Sequence, residues 1–242
     1  MKLNFPIHYL SMKWVSAING KEMFAKDYFY YVNKYYKKNK KIITPSEVGC
    51  ALSHIKVYKE FLKTDEKYCL ILEDDIMAND NDILQIKKII EYEKPNGLVL
   101  FGGQEGLPED YFKYIYVEKV NQLYLISEFS KKFIIRTHCY AINREMAKYL
   151  IGFHENNLQV ADHWKVLLKN KKMYYLNLVK HPLNLSDSNI ETERSFFYSN
   201  EKNFFKRVKD EGLMLKIYNR IYNDFHSLIL SMKGFKRLRD FE

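Results

Sequence analysis

Three consecutive carboxylates, Glu73, Asp74 and Asp75, close a short apolar run, Tyr68–Leu72. Like charges at adjacent positions repel, so the chain gains little from this triplet unless a counter-charge joins it. A hard divalent cation with oxygen ligands supplies one. An ordinary acidic loop after a strand is the competing reading, and the triplet by itself does not choose. A second acid, Asp162, precedes His163 and Trp164. This grouping suits a general base beside an aromatic platform for a sugar ring. It equally suits a helix N-terminus, where the dipole favours negative charge. His54 follows Ser53 and lies one helical turn beyond Cys50, which brings it close to the strand that carries the acids. His181, just before Pro182, could reach a metal; for both histidines a structural role is the simpler alternative. Gly102-Gly103 is too short for a phosphate loop, and no dinucleotide or P-loop glycine pattern occurs.

The elements around these residues follow from local patterns. Thr44-Pro45-Ser46-Glu47 is a capping box, with Thr44 at the N-cap, Pro45 at the first helical position and Glu47 reaching back. Behind it, Val48, Ala51, Leu52, Ile55, Tyr58 and Leu62 recur at helical spacing and predict a face packed on a sheet. Tyr68–Leu72 reads as a buried strand, Ile83–Tyr92 as a helix and Leu98–Phe101 as a second buried strand. This alternation predicts an α/β fold, a mixed and mostly parallel sheet flanked by helices. In such sheets ligands sit at the carboxyl ends of strands, where the acids fall. Further along, Tyr114–Val120 and Leu123–Ile126 form a predicted hairpin, and Phe133–Ile142 a strand. Asn143 caps a helix to about Tyr149 that Gly152 stops. Val160–Leu168 reads as a helix and Met173–Leu178 as a last strand. At the start, Ile7–Ala17 reads as a strand before a turn at Asn19-Gly20. From Phe196 onward basic residues interleave with Phe, Tyr, Leu and Ile, which predicts one or two amphipathic helices. These either pack on the domain or lie on an anionic membrane surface. The division is therefore an α/β domain over 1–195 and a basic helical segment over 196–242.

With 242 residues, the chain can bury one sizeable core, and 47% hydrophobic residues exclude a disordered protein. A net charge of +9 admits nucleic acid, anionic lipid or a phosphorylated small molecule as partner. The lysines are scattered, with local runs only at Tyr36–Lys41 and in the tail, so no nucleic-acid partner is expected. Cys50, Cys69 and Cys139 form no CxxC pair, which predicts neither a zinc site nor a disulfide framework. Met1–Trp14 holds no apolar signal core, and no run of about 18 apolar residues occurs. A cytoplasmic protein is expected, peripheral on the inner membrane if the tail binds lipid.

Glu47-Val-Gly-Cys-Ala-Leu-Ser-His54, followed by Leu70-Ile-Leu-Glu-Asp-Asp-Ile76, resembles glycosyltransferase family 25, the bacterial lipooligosaccharide galactosyltransferases. Ala17-Ile-Asn-Gly-Lys21 and Thr137-His-Cys-Tyr-Ala-Ile142 resemble further family segments, and Asp162 falls where the family has an acid. Arg136 stands where the family has a small residue. The resemblance implies a GT-A type fold that lacks its opening strand, and inverting transfer of galactose from a UDP-sugar to a lipooligosaccharide or other glycan acceptor. It implies Mn2+ or Mg2+ held by Asp75 and Asp74, with His181 in reach. Glu73, Asp74, Ser53 and His54 would bind the donor, and Asp162 would be the catalytic base. The alternatives are a truncated or degenerate relative without catalysis and, behind it, a basic nucleic-acid-binding protein.

Overall fold

The computed structural model of the chain describes residues 2–107, 112–182, 190, 192–196 and 209–241. In chain order the elements are α1 (Ala25–Asn39), α2 (Pro45–Leu62), β1 (Tyr68–Leu72), α3 (Asp80–Glu93), β2 (Leu98–Gly102), β3 (Tyr116–Val120), β4 (Leu123–Ile126), β5 (Cys139–Asn143), α4 (Arg144–Asn156), α5 (Trp164–Leu167), β6 (Met173–Val179), α6 (Lys209–Met232) and β7 (Lys236–Arg237). The capping box that opens α2 is formed as expected. Thr44 Oγ1 accepts from the Glu47 amide at 3.2 Å, and Glu47 Oε2 accepts from the Thr44 amide at 2.8 Å. Glu47 is buried there, and its other oxygen takes the Arg194 Nε at 2.8 Å, which offsets the cost of burying the charge.

The strands form one sheet in the order β1-β5-β2-β6-β4-β3-β7. It is mixed, as expected, but mostly antiparallel. Among the described strands only β2 and β6 pair in parallel. β1 and β2 are both antiparallel to β5 and so run the same way, as the helical connection between them requires. β5 is inserted between them. It is buried along Cys139–Ile142, and a buried antiparallel strand shows the same unbroken apolar run as a parallel one.

Both faces of the sheet are covered. Leu98, Leu100, Tyr140 and Ile142 point into a core with Tyr58 and Phe61 of α2 and Met146, Ala147 and Leu150 of α4. The alternate residues Val99, Phe101, Cys139 and Ala141 pack with Ile86, Ile89 and Ile90 of α3. Each fully buried aliphatic side chain contributes roughly 1.5–3 kcal/mol, so this two-sided packing fixes the strand ends that carry the acids. No strand forms over Ile7–Ala17; the only regular structure there is a 3-10 turn, Tyr9–Ser11. The segment is pinned by side chains instead. Asp80 accepts from the Ile7 and His8 amides at 2.9 and 3.0 Å and from the His8 ring at 2.6 Å, and Phe5 is buried under α3.

Two other expectations shorten and one lengthens. The stretch 133–142 is strand only from Cys139, because Arg136 adopts a left-handed φ of 72° that breaks the extended run. Val160–Leu168 is helical only over Trp164–Leu167. α4 passes through Gly152 to Asn156, since that glycine faces open space and costs the helix only about 1 kcal/mol. The tail contains α6, and β7 after it pairs with β3 and places Leu238 in the core. Among the described residues no helix is long and apolar enough to cross a membrane.

Candidate active site

β1, β2 and β6 all point their carboxyl ends to one edge of the sheet, where β5 begins. Glu73, Asp74 and Asp75 follow β1, Gly103 follows β2, and His181 lies two residues beyond β6. The three acids do not act as one cluster. Glu73 is turned inward: its Oε1 accepts a hydrogen bond from the Thr137 hydroxyl and lies 3.3 Å from His54 Nε2. Asp75 lies on the outer side, 3.7 Å from His181 Nε2. Asp74 is exposed and has no hydrogen-bond or ion-pair partner among the described residues.

The electrostatics follow this division. Burial alone would lower the His54 pKa, but the hydrogen bonds its ring donates to Cys50 and Glu73 outweigh it and raise it to about 10. Glu73 is correspondingly held below the usual carboxylate range: burial opposes this, and the bonds from His54 and Thr137 prevail. Asp75 shifts the other way. Burial and the negative charges of Glu73 and Asp74 raise its pKa, and His181 only partly offsets them. A carboxylate held against its own charge, with an imidazole beside it, is prepared for a cation.

His138 adds to this site and had no signal in the sequence. It is fully buried, its ring nitrogens lack a hydrogen bond of good geometry, and its centroid lies 5.7 Å from that of His181. Burial first, and then His181, push its pKa down to about 4, so it stays neutral. Gly103 makes room for it: a Cβ there would lie 1.9 Å from the imidazole, and its φ of 74° also favours glycine. These groups fit a hard divalent ion. Asp75 and His181 offer one oxygen and one nitrogen, His181 Nδ1 is oriented by the Pro182 carbonyl at 2.7 Å, and exposed Asp74 stands next in sequence. Mg2+-type sites often use one or two protein ligands and complete their shell with water and substrate phosphates.

Asp162 stands on the other flank of the segment before β5. Its Oδ2 accepts from the Arg136 amide at 3.1 Å, and Trp164 Nε1 donates to the Arg136 carbonyl at 3.2 Å. The Arg136 guanidinium donates to the carbonyls of Gly103 and Glu105 at 2.7 and 2.9 Å. Arg136 thus ties the ends of β2 and β5 together, the role its departure from the family pattern did not reveal. Ser53 does not face the acids. Its hydroxyl accepts from the Ile18 amide at 2.8 Å and donates to the Gly49 carbonyl at 2.7 Å, which tethers the N-terminal segment to α2. The structure therefore brings His54 to Glu73 and His181 to Asp75, and leaves Ser53 outside.

The family model described as glycosyltransferase family 25 (LPS biosynthesis protein) matches residues 1–164. The chain belongs to that family. No curated protein matches it individually. Family membership makes it a glycosyltransferase of lipopolysaccharide biosynthesis, and the matched region contains α2, the acid triplet, the segment before β5 and Asp162.

Proposed function

We propose that this glycosyltransferase moves a hexose, galactose, from a UDP-sugar to a lipooligosaccharide or lipopolysaccharide acceptor with inversion, assisted by Mn2+ or Mg2+. The observation that carries the reading is the Asp75–His181 pair at the strand ends, with Asp75 under negative charge from Glu73 and Asp74 that His181 only partly offsets. Asp75 and His181 would hold the cation, with Asp74 beside them. When bound, it neutralises charge on the diphosphate leaving group. Asp74, exposed and unpartnered among the described residues, is placed to meet the donor. Glu73, engaged by Thr137 and His54, supports the strand end on which both aspartates stand. Asp162, oriented by the Arg136 amide, takes the proton from the acceptor hydroxyl as that oxygen attacks the anomeric carbon and UDP departs.

The acceptor class also gives the tail a role. α6 exposes Tyr218, Ile221, Phe225, Leu228 and Met232, each more than half accessible, with Lys216, Arg220 and Lys233 exposed nearby. An apolar stripe with basic neighbours suits an anionic membrane surface that carries a lipid-linked acceptor. The test of the enzymatic reading is sugar transfer from a panel of UDP-hexoses to lipooligosaccharide, with Asp162→Asn and Asp75→Asn compared with the wild type. Cation-dependent transfer lost in both variants supports the assignment. Equal transfer by all three proteins overturns it, and no transfer by any of them favours a non-catalytic relative.

A further inference from the structure

Cys50 and His54 lie four residues apart on one face of α2, and Glu73 meets them from the end of β1. One ligand atom from each falls within 4.8 Å of the other two. We propose that Cys50, His54 and Glu73 form a zinc site, separate from the Asp75–His181 pair, that staples α2 to the acid-bearing strand end. Three features of the geometry support it. Tetrahedral ligands about 2.0–2.1 Å from zinc stand about 3.3 Å apart, and His54 Nε2 and Glu73 Oε1 are 3.3 Å apart. His54 Nδ1 is paired with the Tyr140 hydroxyl at 2.8 Å, and that hydroxyl with Tyr58 at 2.7 Å, so the buried ring is fixed with Nε2 facing the cluster. This outer support is the arrangement that metal-bound histidines use to hold tautomer and orientation. Glu73 is likewise oriented by the Thr137 hydroxyl.

The donor set selects the metal. A thiolate, an imidazole and one carboxylate suit zinc, whereas Mg2+ and Mn2+ prefer oxygen-rich shells. Three protein ligands leave a fourth position for water, on the side where Glu73 remains partly exposed. On binding, zinc replaces the proton at His54 Nε2 and the proton of the Cys50 thiol, both of which go to solvent, while Glu73 enters as the carboxylate. The sequence shows only the Cys50–His54 turn near the acids; with the third ligand distant and no CxxC pair, no zinc motif is legible in it.

The test uses the metal-free full-length protein and needs no donor. One equivalent of Zn2+ should slow alkylation of Cys50, located by peptide mapping, at least about tenfold, since a coordinated thiolate is withdrawn from reaction. Mn2+ and Mg2+ should not. Co2+ should give a sulfur-to-cobalt charge-transfer band that Cys50→Ser abolishes and Cys69→Ser keeps. Unchanged Cys50 alkylation with Zn2+, or a cobalt band that survives Cys50→Ser, overturns the site. The alkylation measurement holds even if the variant fails to fold.

Discussion

The acid-bearing edge of the sheet and helix α6 treat polarity in opposite ways. At the edge, Glu73 and His54 turn inward and are satisfied, Glu73 by Thr137 and His54, and His54 by Tyr140. On α6 it is the polar side that meets the body. Asn223 accepts from Lys132, Asp224 from Tyr114, His226 stacks on Phe129 at 4.9 Å, and Ser227 is buried. The apolar stripe faces outward. Inward polar networks specify a geometry, whereas an outward apolar stripe contributes little to the fold and is available to a partner. The two regions should therefore respond to mutation in opposite currencies, stability at the edge and association at the helix.

The largest expected effect tests the edge. Glu73→Ala leaves the buried His54 without its carboxylate and should cost about 3 kcal/mol in urea denaturation, while Asp74→Ala, at an exposed side chain, should stay within about 0.5 kcal/mol. Equal effects would erase the distinction between inward and outward acids. The next tests the helix. Phe225→Asp with Leu228→Asp should reduce binding to anionic vesicles at least about tenfold while leaving the melting temperature within a few degrees. A large loss of stability would show that the stripe is packed after all.

The buried histidines sharpen the contrast by pH. His138 and His154 are both held at about 4, by burial first and then by His181 and His54 respectively. Between about 4 and 6.5 the unfolded chain binds protons that the folded chain refuses, so their contribution to stability falls as pH falls through that window. His54, raised to about 10, contributes fully below about 6.5 and loses that contribution as pH rises through 10. Urea denaturation at pH 5, 7 and 10 should show both losses. His154→Gln should flatten the acid side and His54→Gln the alkaline side. The smallest loss expected of a structural contact is Thr44→Ala, which removes the cap of α2 and should cost about 1 kcal/mol.

What could be read beforehand depended on where the signal was local. Thr44 and Glu47 fix α2 through backbone hydrogen bonds three residues apart, and β1, β2 and the β3–β4 hairpin show as bounded apolar runs. α1 lacks a start signal, since Phe24 provides no side-chain cap; its inward stripe, Tyr28, Tyr31, Val32 and Tyr35, is masked by the exposed Phe29, Tyr30 and Tyr36 beside it. The insertion of β5 between β1 and β2 is a long-range choice that no local pattern encodes. In the site, the turn from Cys50 to His54 placed the histidine near the acids as expected. The opposite orientations of Glu73 and Asp75 arise from Thr137 and His181, each distant in sequence. His138 was missed because its role depends on the space that Gly103 leaves.

The central claim is that Asp75 and His181 hold a divalent cation against a UDP-sugar. Its most direct test is calorimetric titration of UDP-galactose into the wild type and Asp75→Asn, each with Mn2+ and with EDTA. The prediction is binding by the wild type with Mn2+ alone, lost in EDTA and lost in Asp75→Asn while that variant keeps its melting temperature. Binding that is undiminished in EDTA, or in a folded Asp75→Asn protein, would contradict it.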